Sequence, residues 1–241
     1  MSTFGRLRRL DSSKLCIEKL AQTSGDQFEL FRKLYATYDK VFMLESLVGP
    51  KELSEMSVIG FDPEFTVTCN SRAFKIKNRH KTIHQEKVTD PLLQLRKLLP
   101  KIHDNRFRYI GGAVGYISYD AVRFWERLPP GKRKGPGFPL IEFGIYLDGV
   151  LYSHKENQAY YFHLGKSRLE ELKIVVRGYA GSPQKFSYSK PQRNMTKSKF
   201  KRMVSKAKHY VYDGDVFQVV LAKSISFRIN GSLLRLYEAL R

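Results

Sequence analysis

Over residues 26–38, Phe28, Phe31, Leu34, Tyr35 and Tyr38 recur at helical spacing behind Asp26, which predicts a helix with an aspartate N-cap. Residues 40–47 read as a short strand that ends in polar Glu45-Ser46, with a break at Gly49-Pro50. Strands are predicted at 56–61 and 65–69 around Asp62-Pro63, and the alternation at 73–77 suits a half-exposed strand. Asp90-Pro91 opens a helix whose Leu92, Leu95, Leu98 and Leu99 share a face, and Pro100 stops it. Gly111, Gly112 and Gly115 fit neither a dinucleotide fingerprint nor a phosphate loop, so 111–119 reads as a buried strand whose glycines permit close backbone approach. A short helix over 120–128 is expected to follow it, with a breaker at Pro129-Pro130-Gly131.

Residues 140–146, 149–153 and 159–164 read as three strands of one antiparallel meander. The stretch 178–193 is rich in Gly, Ser and Pro and reads as a linker, dividing the chain into 1–177 and 194–241. After Thr196, a stripe of Phe200, Met203, Val204, Ala207, Tyr210 and Val211 predicts an amphipathic helix. Residues 216–222 are apolar except for Gln218, which reads as a strand buried on both faces. A buried Gln finds hydrogen-bond partners or costs about 1–3 kcal/mol, so Gln218 is either satisfied by the fold or turned toward a ligand. A further strand near 223–229 leads to a helix from Ser232, and the chain stops at Arg241 with no capping signal, which reads as a cut.

Composition narrows the function classes. The 241 residues are 42% apolar and 13% aromatic, enough for a real core. There is no apolar run long enough for a transmembrane helix, and the basic start lacks the apolar stretch of a signal peptide. Cys16 and Cys69 lie far apart without further ligands at metal spacing, which points to a reduced, cytoplasmic compartment. His80 and His84 share an i, i+4 spacing but lie in a Lys/Arg-rich segment with no helical stripe, so they predict no metal site. The net charge of +20 suggests an anionic partner, yet the basic residues are spread along the whole chain. Neither a nucleic-acid interface nor a membrane surface is expected.

Several motifs then carry a resemblance. They are Leu44-Glu45-Ser46; Ser57-Val58-Ile59-Gly60-Phe61-Asp62-Pro63; Gly111-Gly112 with Val114-Gly115-Tyr116 and Tyr119-Asp120-Ala121-Val122-Arg123; Glu126 to Pro129; and Gly214 to Leu221. In this order they resemble the large subunit of anthranilate synthase, component I, of the chorismate-utilising enzymes. The resemblance implies an α+β fold of antiparallel sheets with packed helices. Residues 1–177 would be the N-terminal regulatory region and 194–241 the start of the chorismate-utilising domain.

It also implies a reaction: chorismate and ammonia give anthranilate and pyruvate with Mg2+, and the ammonia comes from a glutamine amidotransferase subunit. Tryptophan is the implied inhibitor, bound near Leu44, Glu45, Ser46 and Met56. The Mg2+ ligands are expected beyond residue 241, so the 241 residues alone are expected to be an inactive N-terminal fragment. Gln218 is the one catalytic position implied within the chain. Relatives that add water carry a Lys at this position. Water needs a base, whereas ammonia has its own lone pair and needs only positioning, which a neutral amide supplies.

The segment Ser54-Glu55-Met56-Ser57 departs from the Gly-Arg-Tyr-Ser common in the family, exchanging a basic and an aromatic residue for an acid and a thioether. Asp120 and Arg123 read as an i, i+3 pair, and Trp125 as core or interface. Aminodeoxychorismate synthase component I shares the architecture and the Gln, but often has Asn where Val220 stands. A non-catalytic amino-acid-sensing module is the remaining alternative.

Overall fold

Helix α1 (Gln27–Thr37) forms where the spacing places it, and the Asp26 carboxylate accepts the Phe28 amide at 3.0 Å. The computed structural model describes residues 14–20, 26–46, 50, 54–70, 72–79, 81–102, 104–129, 137–179, 181 and 185–241. The Gly49 break, Gly131 and His80 lie outside them. The chain divides into two compact units, Met1–Ala180 and Gly181–Arg241.

The first unit holds two five-stranded antiparallel sheets. One is built from β1 (Leu15–Lys19), β2 (Val41–Leu44), β3 (Met56–Phe61), β9 (Asp148–Ser153) and β10 (Gln158–Leu164), in the order β1-β10-β9-β3-β2. The other contains β4 (Phe65–Asn70), β5 (Ala73–Asn78), β6 (Lys81–Lys87), β7 (Gly112–Ile117) and β8 (Ile141–Tyr146), in the order β6-β5-β4-β8-β7. The expected three-strand meander is therefore split. Strands β9 and β10 pair in one sheet, while β8 pairs with β4 and β7 in the other. The chain changes sheet at Leu147, and it does so a second time at Asp62-Pro63, between β3 and β4.

Both crossings are held by one side chain. Arg168 donates from Nε and Nη2 to the Asp148 carboxylate at 2.9 and 2.5 Å, and from Nη1 to Asp62 Oδ2 at 2.9 Å. Nη2 also donates to the carbonyls of Phe61 and Asp62, and the guanidinium lies 4.7 Å from the Phe61 ring centre. Tyr161 donates its hydroxyl to Asp148 at 2.9 Å and accepts the Arg168 amide at 2.8 Å. Burial opposes the charge on Arg168, but the hydrogen bonds and charges of Asp148 and Asp62 outweigh it and raise its pKa. Asp62 adopts φ +42°, a left-handed turn conformation uncommon outside glycine.

Helix α2 (Pro91–Leu98) starts where Asp90 accepts the Leu92 and Leu93 amides, both at 3.0 Å, and its Leu95 and Leu98 join the core of the second sheet. Gly115 of β7 meets β8 closely: a Cβ there would lie 2.0 Å from the Glu142 carbonyl oxygen. Yet β7 is an edge strand whose second half is exposed, so the reading of 111–119 as buried is corrected. The expected 120–128 helix is a 3-10 turn, Tyr119–Phe124. Arg123 there donates to Asp120 at 3.5 Å and to the Pro129 carbonyl at 2.7 Å. A helix absent from the sequence reading, α3 (Leu169–Arg177), follows Arg168 and packs beside α1, where Lys33 donates to the Val176 carbonyl at 2.7 Å.

The second unit corrects the linker reading. Within 178–193, β11 (Phe186–Tyr188) pairs with β14 (Ile229–Gly231), and β12 (Gln192–Arg193) pairs with β13 (Ile225–Ser226). Helix α4 (Lys197–Tyr212) is capped by Thr196, which accepts the Lys199 amide at 3.3 Å, and α5 (Leu233–Leu240) by Ser232. No residue of either helix is buried. Among the described residues, no helix is long and apolar enough to cross a membrane.

Two predictions follow from the first unit. Arg168→Met leaves buried Asp148 without its cation and Asp62 with only Arg79 at 4.0 Å, and should cost about 3–5 kcal/mol, read as a lower urea midpoint. The second concerns alkaline pH. Burial pushes the Cys69 thiol up to about 11 from 9.0, and burial, with the nearby Asp62 charge, pushes Tyr146 up to about 12 from 10.0. Folding holds both groups neutral. Their contribution is full below the unfolded values and is lost as pH rises through the folded ones. The urea midpoint should fall from near pH 9 upward, and Cys69→Ala should remove the earliest part of that fall.

Candidate functional site

The edge pair β2–β3 carries the four residues singled out near the Leu-Glu-Ser segment, and the pairing separates them. Leu44 faces Val58 across the ladder. Alternation puts Leu44, Val58 and Met56 on one face and Ser57, Ile59 and Phe61 on the other. Met56 packs against a core of Val58, Phe107, Ile110, Leu151, Tyr160 and Phe162. Leu44 is exposed at the strand end.

Glu45 and Ser46 engage the opposite face, where α1 lies. Gln27 donates from Nε2 to Glu45 Oε1 at 2.9 Å. The buried Ser57 hydroxyl accepts the Ser46 amide at 3.2 Å and lies 2.9 Å from His154 Nε2. His154 is itself held by its amide, which donates to the Glu55 carbonyl at 2.9 Å, and by the Tyr152 ring at 5.2 Å. The Glu55 carboxylate, the acid that departs from the family pattern, points to Arg108 at 3.9 Å. The cluster on the α1 face is thus Gln27, Glu45, Ser46, Ser57 and His154, a carboxylate and several hydrogen-bonding groups at a sheet edge.

Of these, Ser57 stood within a quoted motif but was not singled out as a site residue, and His154 was missed. A polar residue inside an otherwise apolar strand was the available signal for Ser57. Gln27 had none, because its role depends on how α1 packs. The carbonyl oxygen of Gln27, Oε1, is buried and has no hydrogen-bond partner.

Two clefts of about 500 Å3 each flank the Asp62-Pro63 crossing. One is lined by Asn78, Lys166, Arg168 and Glu171, the other by Tyr38, Lys40, Lys77 and Glu142. Neither is lined by any of the residues at the β2–β3 edge. Acids and bases alternate around both, and the Lys40 ammonium is already 3.2 Å from Glu142.

Gln218 lies in the second unit, and its expected setting is corrected. Residues 216–222 form no strand; they run irregular and exposed, with Phe217 97% and Val220 83% accessible. An apolar run becomes a strand only when neighbours supply ladder partners and apolar cover. The described residues of this unit supply neither. The run begins where the amides of Asp215 and Val216 fold back onto the Tyr210 carbonyl at 3.0 and 3.3 Å. Among the described residues there is no group of three or more His, Cys, Asp or Glu side chains able to hold a metal ion.

Paired antiparallel sheets with packed helices, followed by a second unit bearing the Gly214–Leu221 motif, define an α+β protein of a recognisable class. Residues 39–241 match the family described as chorismate binding enzyme, and the chain belongs to that family. More particularly, it is similar to anthranilate synthase component 1 of Methanothermobacter thermautotrophicus, 30% identical over 90% of this chain and 45% of the relative. The counterpart in Methanothermobacter marburgensis is 31% identical over 90% and 46%. Anthranilate synthase alpha subunit 1, chloroplastic, of Arabidopsis thaliana is 27% identical over 83% and 40%. The crystal structure of anthranilate synthase component I from Streptococcus pneumoniae TIGR4 superposes with a TM-score of 0.58 at 23% identity, covering 82% of this chain and 46% of that one, which shows a shared fold. The chain spans about half the length, or less, of these relatives.

The Ser57 hydroxyl joins Ser46 and His154, so Ser57→Ala should cost about 1–3 kcal/mol by leaving the Ser46 amide and a His154 ring nitrogen unmatched. Faster hydrogen exchange at the Ser46 amide, relative to the amides of β3, is the expected signature. Unchanged protection there would show that Ser57 does not hold this segment.

Proposed function

We propose that the chain serves anthranilate formation: chorismate and ammonia give anthranilate, pyruvate and water. The observation that carries this reading is the similarity to proteins named anthranilate synthase component 1 along 90% of the chain. Residues 1–177 act as the regulatory region in this reading, and 194–241 open the chorismate-using domain. A glutamine amidotransferase subunit supplies the ammonia, and the enzyme works in the cytoplasm.

Gln218 orients the ammonia. Its carboxamide offers both a donor and an acceptor without a titratable proton, so it fixes the nucleophile without protonating it. A lysine in its place suits water, which needs a base. Mg2+ supplies positive charge to the substrate's carboxylate when bound, and its ligands lie outside the described residues. Val220 favours this reading over aminodeoxychorismate synthesis, whose enzymes often carry Asn there. Tryptophan, the end product, binds at the edge of the first sheet. Glu45 pairs with its ammonium group, and Ser46 adds a hydrogen bond.

The test is complementation of a tryptophan auxotroph lacking component I, using the full-length product of this gene. Growth without tryptophan is expected, and Gln218→Lys should cut anthranilate formation by about 100-fold, the scale of a lost positioning group. No growth with the unaltered gene would sink the assignment. Full activity of Gln218→Lys would sink the role of Gln218 alone.

A further inference from the structure

The Ser46 amide, the Ser57 hydroxyl and the His154 ring form a chain of hydrogen bonds whose direction is fixed by chemistry. The β2–β3 ladder ends at Leu44 and Val58, so the Ser46 amide, two residues on, is answered by a side chain rather than by a strand carbonyl. A backbone amide only donates, so the Ser57 oxygen accepts from it. The hydroxyl proton then needs an acceptor of its own. Ser57 is 1% exposed, and among the described residues the one other group its oxygen meets is His154 Nε2, at 2.9 Å. The proton therefore points to Nε2, and Nε2 keeps its lone pair. A proton on Nε2 would send two N–H groups to the Ser57 oxygen and leave a buried hydroxyl without an acceptor, which native proteins seldom keep. His154 is thus a neutral ring with its proton on Nδ1.

Strand geometry holds that ring. His154 follows β9, and its amide extends the β3–β9 ladder by donating to the Glu55 carbonyl at 2.9 Å. Tyr152, two residues earlier, faces Ser57 across the ladder. Alternation puts His154 on the same face as Tyr152, diagonal to Ser57. The Tyr152 ring meets the imidazole edge-on at 5.2 Å. With backbone and ring both held, Nε2 is presented in one direction.

We propose that His154 is a positioning residue of this edge: its unprotonated Nε2 orients the Ser57 hydroxyl, whose oxygen then fixes the Ser46 amide and with it the Glu45-Ser46 segment. His154 acts through Ser57 and Ser46 rather than on a ligand. The consequence for binding rests on the reading of the β2–β3 edge as a tryptophan site. A segment already ordered before its ligand arrives costs less to bind. Loss of the Nε2 acceptor therefore loosens the segment and weakens inhibition.

The full-length product of this gene and two variants test it. His154→Phe keeps a ring but no acceptor, and His154→Gln offers a carboxamide oxygen in place of Nε2. Half-inhibition of anthranilate formation should need about tenfold more tryptophan in His154→Phe, the scale of one hydrogen bond, and nearly the unaltered concentration in His154→Gln. Hydrogen exchange at the Ser46 amide should quicken in the first variant and not in the second. The nitrogen NMR signal of His154 Nε2 at neutral pH should be that of an unprotonated ring nitrogen. The proposal is overturned by a protonated Nε2 signal, by unchanged inhibition and exchange in His154→Phe, or by a His154→Gln as impaired as His154→Phe. If millimolar tryptophan does not inhibit the unaltered protein, the tryptophan reading falls, and the exchange and ring-nitrogen results alone decide the role of His154.

Discussion

The first unit depends on a single cation placed where its two sheets exchange strands. A chain that crosses between sheets leaves backbone carbonyls at the corner without ladder partners, and those must be answered locally. Arg168 answers two of them, at Phe61 and Asp62, and neutralises an aspartate at each crossing. The planar guanidinium suits this role because its five donors spread in fixed directions. A lysine would hold one corner and release the other. The knot ties the end of β3 to the start of β9, which are neighbours in the first sheet.

Much of the first unit was legible because local signals and tertiary packing agree there. Asp26 and Asp90 cap the helices they were expected to cap. Strands β3, β4 and β5 follow their apolar patterns. Other elements escaped for identifiable reasons. Strand β6 reads Lys-Thr-Ile-His-Gln-Glu-Lys, charged as edge strands commonly are, and only its pairing with β5 makes it a strand. The split of the meander at Leu147 has no local marker, because it is decided by Arg168 reaching Asp148 from 20 residues away. The apolar stretch 216–222 shows the opposite failure: its pattern promises a buried strand, but the unit it belongs to gives it nothing to pair with.

The candidate site divides the same way. Glu45 and Ser46 were readable as a motif, whereas their partners were not. Ser57 and His154 are separated by 97 residues and meet only because β3 and β9 are neighbours. Gln27 reaches Glu45 because α1 lies over that edge of the sheet. Leu44 and Met56, adjacent to these residues in sequence, turn to the other face by the simple alternation of a strand. A motif names a stretch of chain, but the pleat decides which of its members share a surface.

The run Val216–Leu221 also bears on how copies of the polypeptide meet. It is six residues long, rich in β-branched and aromatic side chains, and free of charge, proline and glycine. Segments of this composition stack readily into cross-β ladders when their edges are open. With Phe217 and Val220 presented to solvent, the run is a place where copies of this polypeptide can stick to one another as concentration rises. A charged residue on its outward positions would be a gatekeeper, and the lone amide of Gln218 is a poor one, since glutamine ladders reinforce such stacks.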